Sequence, residues 1–452
     1  MRIISEIIRP CSKHLVFVSM IVLATCIVLS NAHGETDTSQ RIEISSSLNP
    51  VGSGARATGM GSAFIGVADD ATAASWNPAG LIQLEKPEIS AVYSFFHRRQ
   101  SYSSEVHPEI ETTNTTDYDG LNYASVAYPF VLFNRNMIVS LNYQRLFEMN
   151  KALDLKYTWS IGPDNLYDNI RFRQDGFLYA LSPAYAVQVT PYFSLGATLN
   201  FWGDYLGDDG WVITYKSFAT GKIAGEPVER TVHYKETASF EGINANFGFL
   251  WSFSPKFTLG GVFKTPFDAD IRRETRNYQS RYWPTENNFF DTLSSKTEDL
   301  TMKMPMSYGL GLAYRHSDSL SIALDVYRTD WSEFILVDEG GNELNPIDGR
   351  PIREGALEDT TQVRIGAEYL FIGEKSVIPL RVGLFYDPEP ATESLDDFYG
   401  FSIGSGYARG RIAFDASYQY RFGRNVSGDL PTVTDSADIH QHTLMTSLIY
   451  YF

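Results

Sequence analysis

Several short stretches carry residue types that could do chemistry. Gly52-Ser53-Gly54-Ala55-Arg56-Ala57 has the GxGxxA spacing with which a glycine turn aims backbone amides at a pyrophosphate. That chemistry needs a preceding strand and a following helix in a βαβ unit, and no such alternation follows. Gly400-Phe401-Ser402-Ile403-Gly404 has the GxSxG spacing of a nucleophile elbow, which needs its Ser on a sharp strand-to-helix turn. Ser402 instead lies among alternating Tyr399, Phe401 and Ile403, the pattern of a mid-strand. His440-Gln441-His442 puts two imidazoles on one strand face, but no neighbouring Cys or carboxylate completes a metal site. Asp69-Asp70 and Asp396-Asp397 are adjacent acids that suit solvated turns better than calcium. The sequence therefore offers no catalytic residues, no cofactor and no metal site, and the chain is not expected to be an enzyme.

The stretch from Gly52 to Leu81 is rich in Gly and Ala and ends in Asn77-Pro78-Ala79-Gly80-Leu81. Small residues let backbone pack against backbone, so the stretch reads as a plug inside something larger. Residues 1–34 read as a signal peptide: Arg2, Arg9 and Lys13 precede the apolar Leu15 to Leu29, and Ala32-His33-Gly34 is a small-x-small cleavage site. Both cysteines, Cys11 and Cys26, fall in that segment, so no disulfide or thiol chemistry is expected in the mature chain. The net charge of −17 repels phosphate backbones and argues against nucleic acid as a partner. An exported, cysteine-free, aromatic-rich chain points to the outer membrane of a Gram-negative cell.

Beyond residue 85 the pattern alternates with period two, the mark of strands with unlike faces. Ile412, Phe414, Ala416, Tyr418, Tyr420 and Phe422 share one face opposite Arg411, Asp415, Gln419 and Arg421. Segments of about ten residues with aromatic ends suit a tilted bilayer crossing. Short turns such as Asn134-Arg135 and Arg409-Gly410 alternate with long polar connections at 99–120, 150–171, 207–231, 275–296, 338–359, 388–397 and 424–440. The expected fold class is all-β: a transmembrane antiparallel β-barrel of about fourteen strands over 85–452, with a hatch at 35–84 plugging the lumen. Lys303, Arg315, Arg364, Arg381, Arg411 and Arg421 should point inward with Asp325, Glu368 and Asp415. Arg315, Arg364 and Arg381 are candidate ligand-contacting cations, because a carboxylate in a low-dielectric pocket wants a charge-assisted partner. Cross-strand pairing of these acids and bases is the competing expectation.

With these pieces placed, the chain resembles the FadL/TodX family of outer-membrane transporters for long-chain fatty acids and aromatic hydrocarbons. The resemblance is carried by Gly59-Met60-Gly61-Ser62-Ala63-Phe64, Ala68-Asp69-Asp70-Ala71 and Asn77-Pro78-Ala79-Gly80-Leu81. It continues in Met304-Pro305-Met306-Ser307-Tyr308-Gly309, Asp325-Val326-Tyr327, Val363-Arg364-Ile365-Gly366-Ala367-Glu368-Tyr369 and Pro379-Leu380-Arg381-Val382-Gly383. It implies a hatch carrying Asn77, Pro78 and Ala79, passive uptake of hydrophobic compounds, and sideways exit through the wall into the membrane. Terminal Phe452, on an alternating strand, resembles the signal read by the barrel-assembly machinery. Outer-membrane lipid and lipopolysaccharide are the expected surroundings, and a monomer is the expected state. Gly54-Ala55-Arg56-Ala57 followed by Gly59-Met60-Gly61 is also similar to PorV-type barrels of protein secretion and surface attachment, the alternative function.

Overall fold

The computed structural model describes residues 52–105, 107–203, 210–347, 349–391, 395–427 and 435–452. The expected signal peptide and residues 35–51 lie outside the described residues. After α1 (Ala55–Gly59), α2 (Ala73–Trp76) and a 3-10 turn (Pro78–Gln83), the chain is almost all strand. The first seven are β1 (Glu88–Ser104), β2 (Thr112–Leu132), β3 (Arg135–Glu148), β4 (Lys151–Ile161), β5 (Asp164–Thr190), β6 (Phe193–Trp202) and β7 (Gly210–Ile223). Then come β8 (Glu226–Ala238), β9 (Gly242–Ser254), β10 (Phe257–Lys264), β11 (Phe267–Trp283), β12 (Asn288–Met304), β13 (Ser307–Arg315) and β14 (Leu320–Thr329). The last are β15 (Ile335–Val337), β16 (Glu343–Leu344), β17 (Thr360–Ile372), β18 (Val377–Tyr386), β19 (Phe398–Arg409), β20 (Ile412–Ser427) and β21 (Asp435–Tyr451).

Pairing closes a ring of fourteen antiparallel strands, β1–β2–β3–β5–β6–β9–β10–β13–β14–β17–β18–β19–β20–β21 and back to β1. The other strands carry the sheet past the rim. β4 and β7 flank the first part of β5, and the sheet continues through β8, β11, β12, β15 and β16. Alternation reads directly as two faces: Ile89, Val126, Leu310, Ile365, Leu384, Phe401 and Leu448 point outward as an apolar belt. Between β2 and β3 the turn is tight, with Phe133 and Asn134 at positive φ, the geometry that suits a right-twisted hairpin.

Two features depart from the expected layout. The stretches 150–171, 207–231 and 275–296, expected as polar connections, are mostly strand. Their period is hidden because parts are wet on both faces; the first ten residues of β12 are all exposed. At Pro305-Met306 the chain also changes face. Met302 and Met304 are buried under the upper sheet, while Tyr308 and Leu310 point outward, although all four share one parity. A proline lacks the ladder N–H, so the break lets β12 and β13 take unlike roles. An apolar core at the barrel mouth joins Phe147, Trp202 and Phe240 at the rim to Trp211, Met302, Trp331 and Phe334 above it.

Candidate lumenal site

Residues 52–84 lie against the inner face all round the ring. Ala55 N donates to Ser447 Oγ on β21 (2.8 Å) and Gly61 N to Ser402 Oγ on β19 (2.8 Å). Phe64 N and Ile65 N both donate to Asp325 Oδ2 on β14 (2.6 and 2.8 Å). Thr198 Oγ1 on β6 donates to Ala74 O (3.0 Å), and Tyr123 OH on β2 to Ala71 O (2.6 Å). Backbone approaches backbone closely: a Cβ on Gly383 would lie 2.0 Å from Gly61 N, and one on Gly366 2.1 Å from Met60 O. Ser402 is thus a structural hydroxyl, also donating to Gly59 O, rather than a nucleophile.

Asn77 sits where this segment meets β9. Its Nδ2 donates to Ile65 O (3.0 Å) and to Phe249 O (2.9 Å), and its Oδ1 accepts from Ala79 N (3.2 Å). Pro78 opens the 3-10 turn, where its missing N–H costs nothing. Ala79 O accepts from Ser194 Oγ on β6 (3.1 Å). Asp69 pairs with Arg56 (2.5 Å). Asp70 accepts from Thr72 N (2.8 Å); burial pushes its carboxyl above the ordinary range, and nearby Arg56 opposes that.

The three candidate cations part company. Arg315 lies at the exposed short-turn end of β13 and pairs with Asp318 (3.1 Å), away from the lumen. The expectation that it points into the lumen is corrected: strand parity gave its direction but not its height. Arg381 is committed to Glu368 and Asp415 (2.5 Å each), and Glu368 also holds Arg56 (2.9 Å). Arg364 pairs with Asp387 (3.3 Å), and its Nη1 has no protein partner. Lys303 also departs from its inward expectation, lying in the upper sheet paired with Glu343 (2.7 Å).

Two cavities lie above the segment, and both touch Leu146. The inner one, about 160 Å³, is lined by Trp76, Tyr118, Arg145, Arg364, Asp387 and Arg421 among others. The outer one, about 60 Å³, has Trp202, Phe267, Met304 and Trp331 against Asn200, Asn246 and Lys264. Both are smaller than the roughly 300–1,000 Å³ of small-molecule pockets, so a lipid-sized ligand needs side chains to move. Gln362 is buried with neither side-chain polar atom partnered, and Gln441 Nε2 and Asn122 Oδ1 are likewise unpartnered by protein.

Beside the inner cavity the wall is incomplete. β2 pairs with β3 only as far up as Tyr123↔Gln144. Above that level β2 follows β1, and β3 follows β5. Contact resumes higher, where Ala152 N donates to Thr116 Oγ1 (3.1 Å) and Asp154 N to Asn114 Oδ1 (2.8 Å). No strand pairing closes the window between residues 117–122 and 145–151, which Asn122 Nδ2 bridges at its lower end by donating to Arg145 O (3.4 Å) and across which the Arg145 side chain lies. Sequence reasoning missed Arg145 because a register shift between Arg145 and Phe147 turns it inward against the parity of Asn142 and Gln144. No signal in the period-two pattern would have found it. The histidines lie elsewhere: His440 and His442 bond Tyr420 (2.6 Å) and Tyr418 (2.7 Å) on the outward face. Among the described residues no cluster of His, Cys, Asp or Glu could hold a metal.

Comparison with known proteins agrees with the closed barrel. The model of the family described as "Outer membrane protein transport protein (OMPP1/FadL/TodX)" matches residues 53–444. The chain belongs to this family. It is an outer-membrane protein of a family of transport channels for hydrocarbons and fatty acids. Among solved structures, a Pseudomonas aeruginosa FadL homologue is 14% identical with a TM-score of 0.57, covering 89% of this chain and 98% of that one. The Pseudomonas putida toluene transporter TodX is 12% identical with a TM-score of 0.54, covering 91% and 100%. The Ralstonia pickettii toluene transporter TbuX is 15% identical with a TM-score of 0.51, covering 89% and 99%. At such identities the likeness speaks for the fold. Comparison with curated proteins gives no match.

Proposed function

We propose that this chain carries hydrophobic small molecules, long-chain fatty acids or aromatic hydrocarbons, passively across the outer membrane. Residues 52–84 serve as its hatch, the outer and inner cavities as waypoints, and the β2–β3 window as a sideways exit into the membrane. The supporting observation is the height of that window. Its lower edge, Tyr123↔Gln144, adjoins outward-facing Leu121 and Val126, so a ligand leaving there meets hydrocarbon rather than water. An apolar ligand gains roughly 25 cal/mol per Å² by staying out of water. Of the candidate cations, Arg364 is the one on the ligand path; Arg381 holds the wall under the hatch. The protein works as a monomer among lipopolysaccharide and lipid, delivered by the barrel-assembly machinery.

Mass spectrometry of the purified protein should find a co-purified acyl or aromatic compound, and a deletion strain should lose uptake of labelled oleate. No bound ligand together with unchanged uptake would overturn this reading. The secretion or surface-attachment alternative is favoured by one observation: the β11–β12 hairpin exposes Phe289, Phe290 and Leu293, a surface suited to a protein partner. Recovery of a secreted protein bound to this hairpin, lost on changing these residues to Ser, would support it.

A further inference from the structure

We propose that Arg145 bars the β2–β3 window and that a ligand carboxylate is the group that draws it aside. The proposal rests on the uptake reading and names the ligand class that reading favours.

The guanidinium of Arg145 reaches across the opening. Its Nη2 donates to Ser94 Oγ on β1 (3.0 Å) and meets Glu148 Oε1 (3.1 Å). The guanidinium carbon stands 4.4 Å from the Phe177 ring centroid on β5 and 6.0 Å from that of Tyr118 on β2. Those two rings meet edge to face at 6.1 Å, closing the space around the cation. Gly120 makes room for it. A Cβ there would lie 2.9 Å from Nη1, and the φ of +148° is one that a side chain rarely adopts. One buried group therefore touches β1, β2 and β5 around the window, and cation–π contacts of this kind gain when water is excluded.

The same guanidinium lines the inner cavity together with Glu148, Arg364, Asp387 and Arg421. A carboxylate arriving there offers the planar fork a second acidic partner and competes with Glu148 for it. As the guanidinium turns to the ligand it leaves Ser94 and the face of Gly120, and the window clears. An uncharged ligand of the same length offers the guanidinium nothing better than its present contacts. The bar thus makes the exit selective for acids over neutral chains.

The test measures early uptake of labelled oleate and labelled methyl oleate in a deletion strain carrying wild type, Arg145→Ala, Arg145→Lys or Ser94→Ala. Wild type should carry oleate about tenfold faster than the ester, the ratio one charged contact sets. Arg145→Ala should carry both at similar, high rates, even though losing the carboxylate contact weakens oleate binding to purified protein by up to about tenfold. Arg145→Lys should restore part of the preference, and Ser94→Ala should speed both ligands modestly. An unchanged ratio in Arg145→Ala overturns the bar, as does joint loss of oleate binding and uptake, which would make Arg145 an anchor. If Arg145→Ala does not assemble, unchanged rates in Ser94→Ala overturn it. If wild type carries neither probe, the uptake reading falls and the bar with it; if it carries both equally, only the bar falls.

Discussion

Where residues 52–84 meet the barrel, backbone lies on backbone and hydroxyls of the wall are spent on the segment: Ser447 on Ala55, Ser402 on Gly59 and Gly61, Thr198 on Ala74. Higher in the same lumen, Arg364 and Gln441 line a cavity with polar atoms that no protein group satisfies, and Gln362 is buried with both of its side-chain polar atoms unpartnered. Buried polar groups are normally paired, so the difference separates two jobs. On the proposed reading, the lower lumen is the part that stays shut against small solutes and the upper lumen is the part that exchanges occupants.

Emptying the lower lumen should have the largest effect. Deleting Gly52 to Leu81 should leave a barrel that inserts but conducts small polar solutes freely in planar bilayers; a deletion protein that stays closed would contradict the seal. A milder insult is Gly383→Val, whose Cβ collides with Gly61 N. Overpacking typically costs about 1–3 kcal/mol, and here it should appear as faster proteolysis of the N-terminal segment with the barrel intact.

These two regions were unequally legible in sequence. The alternation from Ile412 to Phe422, and its like elsewhere, reads out the ring of strands because lipid on one side and lumen on the other impose period two. The Gly and Ala content of the stretch after Gly52 announces close packing, but its partners, Gly366 and Gly383, lie hundreds of residues away and leave no local mark. The window was hidden for another reason. Asn122 is the extra residue where Val92 pairs with Tyr123 and Tyr93 with Leu121, and a second shift follows Arg145. One displaced residue flips every side chain beyond it, so a parity argument fails where the wall opens. Arg315 shows the same weakness in height: its face was readable, its distance from the lumen's middle was not.

The upper lumen should behave oppositely to the lower under substitution. Gln362→Leu removes unsatisfied polar atoms while keeping similar bulk, so denaturant unfolding should show no loss or a gain of about 1 kcal/mol. A clear loss would mean that Gln362 belongs to the tight half. The smallest effect expected is one of pH on the seal. Burial raises the Asp70 carboxyl above its ordinary range, so the seated segment prefers that group protonated. Seating gains as pH falls through the raised value and loses that gain as pH rises through it. Asp70→Asn should flatten this part of the pH dependence of amide exchange in residues 55–80, and an unchanged slope would assign it elsewhere.

Passage of ligand through the lumen is tested most directly by photolabelling the assembled protein with a photoreactive long-chain fatty acid and mapping the labelled residues by mass spectrometry. Label should fall on Trp202, Phe267, Met304 and Trp331 of the outer cavity and on Tyr118 or Leu146 of the inner one, and oleate should compete it away. Label confined to outward residues such as Leu121, Val126 and Leu384, and not competed by oleate, would mean that no ligand passes through the lumen.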